Sequence, residues 1–324
     1  MNASGALAGI GRSTFLDGVE RRDRDPGRIA AAILFGLAAG LLAAFAAMIL
    51  VLVAYLVLTG NAGEGLAGIH AAALTMRTQT GTHLGPTILF LAATTTGNLA
   101  LAVAFVALAA ILAHHALSSY VTSAKRARWR LLLAGLVLGS AILIPFVLVN
   151  AFTSPPAPTP MVAVSSALLG RTAYVAASIF FLIIAAAAEE LFFRGWLMRQ
   201  LAAFSRRPLF LILATSFLFS AAHLDFSPGP FVTRIAMGAG LAYMTLRLGG
   251  IEFSTGVHAA NNILIVLFIE PLSLKAVMAP SGASDAWLIG APAILIAFVA
   301  ITEAVARIGV VRRLAGIGSD EIAA

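Results

Sequence analysis

Ala173-Tyr174-Val175-Ala176-Ala177-Ser178-Ile179-Phe180-Phe181-Leu182-Ile183-Ile184-Ala185-Ala186-Ala187-Ala188 holds no charge, and it runs directly into Glu189-Glu190-Leu191-Phe192-Phe193-Arg194. With the apolar residues that follow, the stretch is long enough for a helix to cross hydrocarbon, which takes roughly 17–25 residues. An ionisable side chain in such a helix costs roughly 2.5–3.5 kcal/mol on insertion scales, so three together mark a functional site. The stretch therefore sets the class of the molecule, an all-α polytopic membrane protein, and the place to look for its chemistry.

The rest of the chain agrees. Of its 324 residues 60% are hydrophobic and 11% charged, against about 25% charged in soluble domains, and mean hydropathy is +0.97. Cysteine is absent, which excludes disulfides, thiol nucleophiles and thiolate metal sites. A net charge of +7 would suggest nucleic acid in a soluble protein. Here it follows from loop topology, and no nucleic-acid partner is expected; the expected partners are membrane lipid and a membrane-associated peptide or protein. All basic residues but Lys125 and Lys275 are arginine. With the richness in alanine this hints at a GC-rich bacterial genome, hence a bacterial cytoplasmic membrane.

Eight apolar runs stand out, at about 29–58, 87–113, 131–152, 173–197, 208–224, 231–247, 252–269 and 286–309. In lipid every backbone amide needs an internal partner, so these are read as about eight transmembrane helices. An N-in/C-in arrangement leaves only Arg77, Arg171, Arg234 and Lys275 of the 21 basic residues outside, as the positive-inside rule requires. Residues 1–28 lack apolar periodicity and read as a partly disordered cytoplasmic tail. Three spans fill 29–152, a proline-rich external loop spans 153–171, a core spans 172–270, and 271–324 hold a last span and a cytoplasmic tail. The loop 59–86 carries no span. Gly36 with Gly40, and Gly135 with Gly139, have the spacing of close helix contacts in lipid or are chance glycines.

Three polar clusters interrupt the apolar pattern. Glu190 and Arg194 are i,i+4 and can pair along the fourth helix. Glu189 is rotated about 100° away and has no partner on its own helix, which makes it the candidate base. His223 follows Phe219 by one turn on the fifth span and can help to position a water. His258 and Asn262 are i,i+4 on the seventh, with Asn261 alongside, and two neutral donors on one face can hold an oxyanion. Each has a bland reading: a packing histidine, a Glu–Arg pair as helix glue, an asparagine bonded across helices. His70, His83, His114 and His115 lie in loops or at a span end, without an acidic neighbour in sequence, and are read as non-catalytic.

At these residues the chain resembles the CAAX prenyl protease type II family, also called the Abi or CPBP intramembrane proteases. The family motifs EExxxR, FxxxH and HxxxN occur in order as Glu189-Glu190-Leu-Phe-Phe-Arg194, Phe219-Ser-Ala-Ala-His223 and His258-Ala-Ala-Asn-Asn262, and the first continues through Gly195 and Leu197. The resemblance covers roughly residues 172–270. It implies a helical membrane fold of eight helices with the site reached from the cytoplasmic side, and peptide-bond hydrolysis. By the same match, Glu189 is the base that activates water, His223 helps to bind that water, His258 and Asn262 form the oxyanion hole, and Glu190 with Arg194 is the supporting ion pair.

No cofactor is favoured. Zinc on Glu189, His223 and His258 is the alternative, against which stand the absence of HExxH and the poor ligand that Asn262 would make. The competing functions are a catalytically silent membrane scaffold or bacteriocin-immunity protein on the same fold, and a transporter, which would be expected to show internal repeats. One tension is geometric. His223 lies 15 residues past Pro208, roughly 22 Å along a straight helix. It meets Glu189 only if the fifth helix starts deep or tilts, or if the fourth span has other boundaries. The three clusters are expected to converge in one cavity.

Overall fold

Proline, aspartate and glycine set the helix ends. Asp25 caps the first long helix by accepting from Arg28 N at 2.7 Å, with Pro26 at its first position. Pro208 and Pro228 open later helices, where their missing N–H is not needed. Gly249, at φ 72°, closes the helix that Pro228 opens. The computed structural model describes residues 10, 13–153, 158–270 and 286–317. Lys275 and the residues 154–157 of the proline-rich loop lie outside them.

The helices are α1 (Pro26–Leu58), α2 (Gly65–Gln79), α3 (Leu84–Ala113), α4 (Trp129–Thr153), α5 (Leu168–Phe204), α6 (Pro208–Ala221), α7 (Pro228–Leu248), α8 (Glu252–Phe268), α9 (Ala286–Arg307) and α10 (Gly309–Ala315). Among the described residues there is no strand, only an isolated antiparallel bridge between Thr122 and Gly250. Each of the eight apolar runs is helical. Five of the helices, α1, α3, α4, α5 and α9, are long and apolar enough to cross a membrane, and the chain is an integral membrane protein.

The other three apolar helices differ for a physical reason. At 14 residues, α6 is only about 21 Å long. Arg234 and Arg247 on α7, and Glu252, His258, Asn261 and Asn262 on α8, lower the hydropathy of those helices. They are tolerated because both helices are wrapped by protein: Glu252 to Ala260 is buried throughout. The α7 arginines are also paired, Arg234 with Asp225 at 3.0 Å and Arg247 with Glu303 of α9 at 2.9 Å. By contrast α1 exposes Leu34, Phe35, Leu41, Leu42 and Phe45, as a lipid-facing helix does.

The central helix α8 packs against α4, α5 and α7, while α7 also packs against α6 and α9, and α3 lies between α1 and α5. Where α4 crosses α8 the backbones nearly touch. A methyl group on Gly256 would strike the Leu132 carbonyl and the Leu136 amide. Gly135 and Gly139 face Phe253 and Val257 at the same crossing, so this glycine pair does mark a close helix contact.

Three expectations change. The loop 59–86 contains α2. Part of the N-terminal segment is packed, not loose: Phe15 and Leu16 are buried in a core with Trp196, Met198 and Ala202. Arg199 donates to the carbonyls of Phe15 and Asp17, and Gln200 donates to Asp23 O at 2.7 Å. Apolar periodicity gave no sign of this because short 3-10 turns, Thr14–Leu16 and Arg21–Arg24, bonded to side chains of another helix have none. Finally, the fourth apolar helix runs to Phe204, with a π-helical stretch at Leu191–Leu197, where a boundary at 197 was expected.

This last change removes the depth problem. Glu189 lies 15 residues before Phe204 and His223 lies 15 residues after Pro208. Both are therefore about 22 Å from the tight turn between α5 and α6, and two antiparallel helices bring them to one level.

Candidate active site

The last α-helical turn before the π-helical stretch carries Glu189 and Glu190. A π insertion widens a helix and re-aims its side chains, and such insertions cluster at functional sites. Here it lies within the motif, and Arg194 is inside it. Gly195 is the residue that lets the widened helix approach the loop between α3 and α4, since a Cβ there would meet the Tyr120 carbonyl.

Glu190 and Arg194 are completely buried and bonded at 2.8 Å. The pair reaches further than helix glue. Arg194 Nη2 donates to Gly238 O of α7 at 3.2 Å, and its guanidinium lies 4.5 Å from the centre of the Phe219 ring. The same Glu190 oxygen that accepts from Arg194 also faces His258 Nδ1 at 2.9 Å. One buried carboxylate thus ties α5 to α8, and through Arg194 to α6 and α7.

His258 stands between two glutamates. Its Nδ1 bonds Glu190 and its Nε2 is 3.6 Å from Glu189 Oε2. Glu189, unpartnered on its own helix, therefore has an inter-helix neighbour. Its side chain is 27% exposed, against 2% for His258. Glu189 Oε2 has no hydrogen-bond partner within the protein.

The pairing also sharpens what His258 can do. A carboxylate bonded to Arg194 acts as acceptor, so His258 Nδ1 is the donor of that bond. A neutral ring then offers a lone pair at Nε2. To donate to an oxyanion from Nε2 with Nδ1–H bonded to Glu190, the ring must carry both protons.

Just past the end of α6, His223 Nδ1 faces Phe219 O at 2.8 Å. A carbonyl only accepts, so Nδ1 donates and Nε2 is left free. The Phe219 ring is the hub. Its centre is 4.9 Å from that of His223, 5.7 Å from His258 and 5.3 Å from Phe193, all edge-on. The structure thus brings Glu189, Glu190, Arg194, His223 and His258 together around one aromatic ring. Asn262, half-buried, stands one turn along α8 from His258, its Oδ1 accepting from Asn261 Nδ2 at 3.2 Å.

The Nδ1 atoms of His223 and His258 are both hydrogen-bonded, which leaves Nε2 of each as the atom a metal would take; among the described residues no three His, Cys, Asp or Glu side chains group as a metal's ligands would.

A second buried pair was missed in the linear sequence. Arg128 Nε and Nη2 grip Glu252 at 3.0 and 2.7 Å, while Nη1 donates to Leu248 O at 2.7 Å. The pair fixes the loop 114–128 over the α7–α8 turn and so anchors the helix that carries His258. The only signals were a glutamate at the first position of an apolar run and an arginine hidden in a basic loop.

Residues 171–264 match the family model described as type II CAAX prenyl endopeptidase, Rce1-like. Over that segment the chain is similar to the Rce1-like family. The matched segment contains all three motifs, from Glu189 to Asn262. An uncharacterized protein, YyaK, of Bacillus subtilis (strain 168) is 35% identical over 104 residues, covering 29% of this chain and 34% of that protein. The chain therefore spans about a third of that relative's length. No solved structure matches the chain.

Proposed function

We propose that the protein is an intramembrane endopeptidase, a CAAX protease-type hydrolase acting on a membrane-associated peptide or protein. The supporting observation is the placement of His258, held at Nδ1 by Glu190 and facing Glu189 through Nε2. Glu189 takes a proton from water as the water oxygen attacks the scissile carbonyl carbon. His223, its Nδ1 engaged by Phe219 O, accepts from that water through Nε2 and orients it. The carbonyl oxygen becomes an oxyanion facing Asn262 and the doubly protonated His258. As the C–N bond breaks, Glu189 delivers its proton to the leaving amine. Glu190 and Arg194 position the His258 ring and touch no reacting atom.

The reading is metal-free. The eight apolar helices form the membrane body, with both termini in the cytoplasm of a bacterium and the site reached from that side. The test is cleavage of a candidate membrane peptide by purified wild type, Glu189→Ala and His258→Ala. Loss of product in both variants is expected, with wild-type turnover unchanged by a chelator. Equal product in all three would reject the assignment and leave the silent scaffold. Inhibition by chelator, reversed by zinc, would reject the metal-free reading.

A further inference from the structure

A groove of about 840 Å³ opens where the loop before α4 meets the end of α10, and Lys125, Arg126, Trp129 and Arg130 line it together with Gly316. None of these residues belongs to the Glu189 cluster. We propose that the groove binds the phosphate of an anionic glycerophospholipid.

Lys125, Arg126 and Arg130 are exposed, and no carboxylate lines the groove among the described residues. Arg128, also in the lining, is committed to Glu252 and Leu248 and acts as scaffold. Arg130 packs over Gly316, so this cation is held against the backbone of a second segment.

The position selects a lipid over a free anion. Trp129 opens an apolar span and is 70% exposed, as an indole at a membrane interface is. Leu133 and Val137 follow at i+4 and i+8 on the same face, exposed by 56% and 66%. A phosphate in the groove therefore has its acyl chains directed along Trp129, Leu133 and Val137. Basic pockets at helix ends bind anionic head groups in this way, each cation contributing roughly fivefold in affinity.

Full-length protein in mild detergent is titrated with phosphatidylglycerol, with phosphatidylcholine in a parallel arm, and bound lipid is counted by native mass spectrometry. The expected result is one saturable phosphatidylglycerol, weakened about a hundredfold in Lys125→Gln/Arg126→Gln/Arg130→Gln. Arg21→Gln/Arg22→Gln/Arg207→Gln, which removes the same charge outside the groove, leaves binding unchanged. Lys125→Gln alone gives a step of about fivefold if the triple variant does not fold. The proposal is overturned if the groove variants bind as wild type does, if the control weakens binding as much, or if phosphatidylcholine binds equally. Displacement of the lipid by equimolar inorganic phosphate would also overturn it, by assigning the groove to the free anion.

Discussion

Glu189 and Glu190 are adjacent and have opposite fates. Glu190 is completely buried, its Oε1 shared between Arg194 and His258, while Glu189 is 27% exposed beside His258. Removing one member of a buried ion pair strands the other, at a cost of about 3–5 kcal/mol. Arg194→Met is therefore expected to lower the thermal midpoint sharply, whereas Glu190→Gln/Arg194→Met recovers most of it. The double variant stays poorly active, because His258 has lost the carboxylate that fixes its ring. Recovery of both stability and turnover would show that the pair is helix glue alone. The two roles were legible in the sequence, since i,i+4 spacing pairs Glu190 with Arg194 and leaves Glu189 out. The contact of His258 with both glutamates was not, because nothing in a linear sequence sets the rotation of α8 against α5.

At the level of elements, the π-helical stretch and the length of α5 decide whether the site assembles. Apolar runs located eight helices, missing α2 and α10, but could not place the end of α5, because Leu197 to Phe204 remains helical after lipid-like composition gives way to Arg199 and Gln200. Seven residues of error made His223 look too far from Glu189. The crossing of α4 and α8 is equally exacting, with Gly256 against the Leu132 carbonyl. Gly256→Ala forces the helices apart and is expected to cost about 1–3 kcal/mol, read as a lower thermal midpoint together with reduced turnover, since α8 carries His258. An unchanged midpoint would mean that the crossing yields without strain.

For the whole molecule, lipid and protein divide the helices. Ala- and Leu-rich α1 faces outward, while α8 keeps its polar residues because α4, α5 and α7 surround it. Since the chain has no cysteine, single cysteines report topology without interference. A cysteine at Ser123 or Ser205 should react with an impermeant thiol reagent only from the cytoplasmic side, and one at Gly63 only from the other; the reverse pattern would invert the orientation proposed above. Turnover of a membrane peptide by reconstituted wild type and Glu189→Gln, both checked for equal thermal midpoints, tests the central claim most directly. General-base catalysis contributes about 10²–10⁴-fold, so the variant is predicted to lose at least a hundredfold in kcat with little change in KM. A variant that cleaves at the wild-type rate would contradict the assignment of Glu189 as the base.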